Sequence, residues 1–313
     1  MHDLDSPLLD LKNVRCFVAA AEHGSLSGAA SSLGMAQSAL SRQVSQLESL
    51  LDCRLFHRTG RGVSLTEIGH AILPRAQLML QTASQLVDDV SAQRSRPAGN
   101  VTIGVLPGLS RPLIGRVLRR MLVTYPDIRL KAVEAYSGEV ENMLAEGRAD
   151  IGIFNRYRPT QRDVHDAILH APIYLVGRSG RFDSDRKSLK LAAIARLPLV
   201  LPARPNGMRS YLDEACNRRG LRLNVVLEAT SGTLIREAIV NCDAYSLLPY
   251  HAVAEEIRSG ILAMTPITNP VIQQTAFVDT TRKHPLSNAS KAVFKIVIEE
   301  MRALDALVRQ AVD

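Results

Sequence analysis

Gln37, Ser38, Ser41, Arg42, Ser45 and Ser49 fall at spacings that place them together on one side of a helix. Their chemistry suits a nucleic-acid groove. Gln and Arg hydrogen-bond base edges, and Ser hydroxyls bond phosphate oxygens. A merely solvated helix face ordinarily carries more Lys and Glu. A second set sits at four junctions where strand-like runs give way to helix-like ones. These are Pro107-Gly108-Leu109-Ser110, Tyr136-Ser137-Gly138, Pro202 to Arg209 through Asn206-Gly207-Met208, and Thr230-Ser231-Gly232-Thr233. In α/β sheets, ligands bind outside the carboxyl ends of strands, close to helix N-termini. Ordinary helix capping is the competing explanation for part of this set. Arg156, Arg158 and Arg209 lie at or near strand ends, with Tyr157 between the first two. Guanidinium forks match carboxylates, so an anionic effector is expected there, against the alternative of plain surface Arg.

Catalytic signatures are missing from the sequence. There is no GxSxG, GxxxxGK[ST], GxGxxG after a strand, or HExxH, and the eight His show no ligand spacing. No enzyme, cofactor or metal site is expected. Cys16, Cys53, Cys216 and Cys242 show no CxxC spacing, which disfavours zinc and fits a reducing compartment. Cys216 and Cys242 leave a redox-sensing regulator as an alternative, while Cys16 reads as core. No apolar run is long enough to span a membrane. The acidic start, Met1-His2-Asp3-Leu4-Asp5, has no apolar signal core, so a cytoplasmic location is expected. That also weighs against a solute-binding receptor, which would need export.

The elements that must position these residues follow from periodicity. Leu11, Val14, Phe17, Val18 and Ala21 mark one helix, which Gly24-Ser25 breaks. A short helix is expected over about 27–33, a turn at Gly34-Met35, and a third helix over about 37–51 with Leu40, Val44, Leu47 and Leu51 inward. Gly60-Arg61-Gly62 signals a hairpin. Ile72, Ala76, Met79, Ala83, Leu86 and Val90 form a heptad seam, read as pairing with a second copy of the chain. From Val101 onward, strands alternate with helices at 128–135, 151–154, 197–201, 223–227, 245–248 and 276–278. That alternation predicts an α/β fold with parallel sheets, and about 200 residues suit two lobes. A last amphipathic helix is expected over 287–308, capped by Ser287.

The first of these elements carry a resemblance. Ala30, Leu33, Gly34, Leu40 and Val44 fit a helix-turn-helix. Leu33 to Glu48, followed by Leu55-Phe56-His57-Arg58-Thr59-Gly60-Arg61-Gly62-Val63-Ser64-Leu65-Thr66-Glu67-Ile68-Gly69, resembles the N-terminal region of LysR-type transcriptional regulators. The resemblance extends over nearly the whole chain. It implies a winged helix-turn-helix DNA-binding domain (1–65), a dimerisation linker helix and hinge (66–98), and a two-lobed effector domain like a periplasmic binding protein (99–313). Lobe I would span about 99–165 and 270–313, and lobe II about 166–269. It further implies a double-stranded DNA operator, a small-molecule effector between the lobes, recruitment of RNA polymerase, and a homodimer or homotetramer. By the same resemblance Gln37, Ser38, Ser41 and Arg42 belong to the DNA-reading helix, and Arg58 and Arg61 to the wing. Effector contacts fall on Gly108, Ser110, Tyr136, Ser137, Asn206, Arg209 and Ser231. The segment from Pro198 to Arg209 resembles the branch that includes nitrogen- and sulfur-assimilation regulators. Two positions depart from the pattern: Ala36 stands where a Ser or Thr usually caps the reading helix, and Ser38 where Pro is frequent.

The net charge of +7 sits elsewhere. Residues 1–65 hold six basic and six acidic side chains, and residues 66–98 hold three of each. The whole surplus lies in the effector half, so basicity by itself does not argue for DNA.

Overall fold

Polar caps and left-handed glycines punctuate the N-terminal helices. In this computed structural model, residues 9–59, 62–92, 96–157, 167–180 and 188–312 are described. The chain forms two compact units, 1–91 and 92–313.

Helix α1, Leu11–His23, begins at Asp10, whose carboxylate accepts from the Lys12 N–H at 2.8 Å. It ends at Gly24 with φ 60°, a conformation that costs glycine little. Helix α2, Leu26–Ser32, is capped by Ser25. Gly34, at φ 64°, turns the chain into α3, Gln37–Leu50. Ala30, Leu40 and Val44 are buried where α2 and α3 cross, with Leu33 packed against them. Leu51 was expected inward, but it lies past the helix end and is exposed. Strands β1, Phe56–Thr59, and β2, Gly62–Leu65, form an antiparallel hairpin. Its tip, Gly60 and Arg61, lies outside the described residues. Gly62 has φ 144°, and a Cβ there would collide with the Gly24 carbonyl oxygen. Only glycine lets the hairpin approach closely enough for the Val63 N–H to donate to Gly24 at 3.0 Å.

Helix α4, Glu67–Ala92, carries the heptad seam. Its first half packs on its own unit: Ile72, Leu73, Ala76 and Leu80 join the N-terminal core, and Gln77 reaches Glu22 of α1. This corrects the reading that gave the whole seam to a second copy. Further along, Met79 and Leu86 remain 38% and 68% exposed. The side chain of Val90 lies outside the described residues.

The C-terminal unit is built on strands β3 (Gly99–Val105), β4 (Ile128–Glu134), β5 (Ile151–Arg156), β6 (Ala167–Arg178), β7 (Leu189–Lys190), β8 (Leu199–Pro202), β9 (Val225–Ala229), β10 (Tyr245–Pro249), β11 (Leu262–Thr268) and β12 (Gln273–Thr280). The expected all-parallel sheets are corrected to mixed ones. β3 pairs in parallel with β4 and β5, and β8 in parallel with β9 and β10. β12 and β6 are antiparallel to their neighbours, because both carry the chain between lobes rather than through a helical crossover. β6 pairs with β12 up to Pro172, with β10 from Ile173 and with β11 from Tyr174. Proline lacks an N–H to donate, so the change of partner falls at the residue where the ladder loses least.

The helices of this unit are α5 (Pro107–Thr124), α6 (Ser137–Glu146), α7 (Leu191–Ile194), α8 (Gly207–Asn217), α9 (Gly232–Asn241), α10 (Ala254–Arg258) and α11 (Asn288–Val312). A short 3-10 turn, Tyr250–Ala252, precedes α10. Ser287 caps α11 as expected, accepting from the Ser290 N–H at 3.0 Å. One core lies under α5 and α11 on the first lobe, and two smaller ones fill the second.

Candidate functional site

On α3, Gln37, Ser38 and Arg42 are exposed, while Ser41 and Ser45 are partly covered beside β1 and β2. Arg42 has no hydrogen bond or ion pair among the described residues. Arg58 lies in β1, but its side chain, like all of Arg61, lies outside the described residues. At its start α3 lacks a side-chain cap, because Ala36 has nothing to offer. Its first-turn N–H groups are therefore open to a phosphate oxygen. The hairpin is held to α3 by Glu48, which is 8% exposed. One carboxylate oxygen accepts from the N–H groups of Leu55 and Phe56 at 2.8 and 3.3 Å, and the other meets Arg54 at 3.0 Å. Sequence reasoning did not single out Glu48. The signal was available, since Leu40, Val44 and Glu48 recur at four and so share the buried face.

In the C-terminal unit, the ends of β3, β4, β5 and β8 and the starts of α5, α6, α8 and α9 surround a cavity of about 150 Å³ between the lobes. Gly108, Ser110, Tyr136, Ser137 and Asn206 line it. The lobes touch across it: a Cβ on Gly232 would lie 3.1 Å from Pro107, and the Tyr136 hydroxyl sits 3.4 Å from the Ala229 carbonyl. Ser110 donates to Glu134 at 2.6 Å. The two lobes treat their helix starts differently. In the second, Asn206 and Ser231 cap α8 and α9 by accepting from Arg209 and Leu234. In the first, Leu106 and Tyr136 provide no side-chain cap to α5 and α6. Pro107 has no N–H, and the N–H groups of Leu109, Ser110, Glu139 and Val140 return to the Leu106 and Tyr136 carbonyls, so the open donors at these starts are those of Gly108, Ser137 and Gly138, beside two positive dipole ends.

Two of the expected contacts, Arg209 and Ser231, do not line the cavity. The Arg209 guanidinium is taken by Asp213 at 3.1 Å and Glu228 at 2.6 Å, and the side chain is almost fully buried. Ser231 is a cap rather than a lining residue. Arg156 pairs with Glu141 at 2.9 Å and stacks over Phe154 and Phe277, and it also lines the outer part of the cleft beside Tyr136, Ser137 and Asn206. Arg158 lies outside the described residues.

A buried polar chain missed by sequence reasoning underlies the cavity. The Gln274 side-chain oxygen accepts from Asn155 Nδ2 at 3.0 Å and from the Tyr157 hydroxyl at 3.1 Å. Its amide nitrogen meets His251 Nε2 at 3.3 Å. Desolvation pushes the Tyr157 phenol up and lowers His251 to about 4, so the imidazole is neutral near neutral pH. With Gln274 donating, Nε2 is the acceptor and Nδ1 carries the hydrogen. That Nδ1 is buried without a partner, and so is Asn155 Oδ1. Cys216 is 2% exposed and burial raises its thiol, whereas Cys242 is exposed. Among the described residues no His, Cys, Asp and Glu cluster could hold a metal, and no helix is long and apolar enough to cross a membrane.

A winged helix-turn-helix and a two-lobed ligand-binding fold in one chain define a DNA-binding regulator with its own effector domain. Residues 11–70 match the bacterial regulatory helix-turn-helix protein, lysR family, and residues 94–302 match the LysR substrate binding domain. The chain belongs to the LysR family of transcriptional regulators. The HTH-type transcriptional regulator BbuR of Bordetella bronchiseptica is 27% identical over 94% of this chain and 90% of its own. The nitrogen assimilation regulatory protein Nac of Klebsiella aerogenes is 28% identical over 93% and 94%. A full-length OxyR variant from Pseudomonas aeruginosa shares the fold, with a TM-score of 0.69 at 20% identity over 94% of this chain and 95% of that one. CbnR bound to its target DNA does so with 0.65 at 21% over 94% and 99%.

Proposed function

We propose that this regulator binds an operator through α3 and the wing, and that a small hydroxy- or amino-carboxylic acid in the inter-lobe cavity controls it. The carrying observation is the pairing of opposite needs around one small space. The uncapped starts of α5 and α6 want an acceptor, and Asn155 Oδ1 wants a donor. A carboxylate answers the first and a hydroxyl or ammonium the second. A cavity of about 150 Å³ is the size that takes benzene, so about six heavy atoms fit without lobe movement. Ser110, Tyr136, Ser137 and Gly108 are the contacts in this reading, and Arg209 is not. Thermal shift of the purified protein with a panel of small carboxylic, hydroxy and amino acids tests it. A rise in melting temperature with one such acid, lost in Asn155→Leu, is the expected result. Indifference to every acid in the panel overturns it.

On the DNA side, Gln37, Ser38, Ser41 and Arg42 read the groove, with Arg58 and Arg61 on the wing. Arg42→Ala is expected to weaken operator binding by about 1–3 kcal/mol, without unfolding the chain. Unchanged gel shifts would remove Arg42 from this role. The protein acts in the cytoplasm as a homodimer joined through the outer half of α4, with two dimers forming a tetramer and RNA polymerase as the downstream partner. Leu86→Glu places a charge on the exposed seam and is expected to shift the chain toward monomer in light scattering; an unchanged mass would place the interface elsewhere. A redox sensor is less well supported, because burial disfavours the Cys216 thiolate. A solute receptor would leave the N-terminal unit without a role.

A further inference from the structure

A second and larger cavity lies outside the cleft. It is a groove of about 560 Å³ between α5, the Tyr250–Arg258 segment and the last turns of α11. Four arginines line it, Arg111, Arg116, Arg119 and Arg258, against a single carboxylate among the described residues, Glu255. Arg111 is occupied by Glu255 and Glu256. Arg116 and Arg119 have no hydrogen bond or ion pair among the described residues. Among them, Arg258 donates only to the Ala254 carbonyl. One bland explanation is that these arginines cap the carbonyl end of α11, where cations are favoured. None of them donates to a carbonyl of that helix among the described residues. The α11 wall is mostly apolar instead, with Leu304, Leu307, Val308 and Ala311 beside one polar residue, Gln310.

A second observation is independent of the charge count. His251 also lines this groove, is 4% exposed, and holds a buried Nδ1 with no partner. Its Nε2 is engaged by Gln274, which lines the inter-lobe cavity. One imidazole therefore lines the groove and bonds a side chain that lines the inter-lobe cavity, while its Nδ1 lacks an acceptor.

We propose that this groove is a second ligand site, which takes an organic anion with an apolar body. The acidic group meets Arg116, Arg119 and Arg258, and the body lies against Leu304 and Leu307. Guanidinium groups without carboxylate partners supply charge-assisted bonds, and the leucine wall supplies burial. This site is separate from the effector reading above and stands or falls without it.

The probe is 8-anilinonaphthalene-1-sulfonate, titrated into the full chain and followed by its own fluorescence. The chain contains no Trp to interfere. The cleft between the lobes is also open beside Tyr136, Ser137 and Tyr157, so the groove variants, rather than the size of the probe, assign the binding. Gly115 lines the groove, and a Cβ there meets nothing within 4 Å. Gly115→Leu therefore blocks the groove while removing a weak helix former from α5, so the fold is retained. Saturable binding to the wild type is expected, weakened about tenfold or more in Gly115→Leu and in Arg116→Ala with Arg119→Ala, the loss expected for charge-assisted bonds. The uncharged analogue N-phenyl-1-naphthylamine should bind the wild type at least about tenfold more weakly than the sulfonate. No saturable binding, equal affinity in either variant at an unchanged melting temperature, or equal affinity for the two probes would each overturn the proposal.

Discussion

Glu48→Ala is expected to destabilise the N-terminal unit by about 3 kcal/mol and to abolish operator binding at concentrations where the wild type saturates. Each buried N–H left without an acceptor costs roughly 1–3 kcal/mol, and Glu48 serves two, on Leu55 and Phe56. Those amides sit at the entry to β1, and Phe56 packs its ring 5.5 Å from Phe17. Losing the brace releases the hairpin from α3 and loosens the core at the same point. The ion pair to Arg54 is a minor part of this, because the Arg54 side chain is 74% exposed. Arg54→Ala should therefore cost less than about 1 kcal/mol, and Glu48→Gln, which keeps one acceptor, less than Glu48→Ala. Urea unfolding combined with hydrogen exchange over residues 52–58 separates the three variants. An Ala variant as stable as the wild type, with amides still protected, would show that the hairpin does not depend on this carboxylate.

The N-terminal unit was readable because its signals are local. Gly24, Gly34 and the apolar spacing of Leu40, Val44 and Leu47 act within a few residues of where they stand. What failed there was a question of partners. Ile72 and Ala76 have the spacing of a dimer seam, yet they are packed into the core of their own unit. Spacing shows that a face is apolar; it does not show which surface buries it. In the second unit the strands with helical crossovers were found, and so was the middle of the returning β12, but β6, β7 and β11 were not. β6 contains Pro172 and β11 contains Pro266, and each proline interrupts the apolar alternation that marks a strand. Their pairing is also long-range: β6 pairs with residues about a hundred positions away.

The junction residues stand at strand ends and helix starts, but their chemistry could not be assigned from type alone. Asn206 and Ser137 look alike as small polar residues at strand ends. Asn206 spends its oxygen on the start of α8, whereas Ser137 accepts from the Asn155 N–H and leaves the start of α6 open. Arg209 carried a warning in the sequence, since Asp213 lies four residues on and within reach on a helix. Glu228, its other partner, comes from a different strand and could not be foreseen. The surplus of positive charge has a partial structural address. Three arginines without carboxylate partners among the described residues line one groove of the effector half, far in sequence from the DNA-reading helix.

Acid should weaken the C-terminal unit through His251, and removing that titration should flatten the response. Burial lowers its pKa from 6.5 to about 4, because the fold holds the imidazole neutral in a site that penalises charge. Above pH 6.5 both folded and unfolded His251 are neutral, and its contribution to stability is fully present. As pH falls from 6.5 toward about 4, the unfolded imidazole takes up a proton that the folded one refuses, so stability is lost across that window. The full loss is about 3 kcal/mol, since each tenfold drop in proton affinity is worth about 1.36 kcal/mol. Acid acts on the whole chain and not on His251 alone, so the wild type is best read against a variant. His251→Gln keeps a side chain able to bond Gln274 but has no proton to exchange in this range. Calorimetry at roughly pH 7.5 and pH 5 should show the wild type losing about 2 kcal/mol more than His251→Gln. Equal losses in the two proteins would mean that His251 takes up its proton in the fold as readily as in the unfolded chain, and the neutral relay through Gln274 would fall with it.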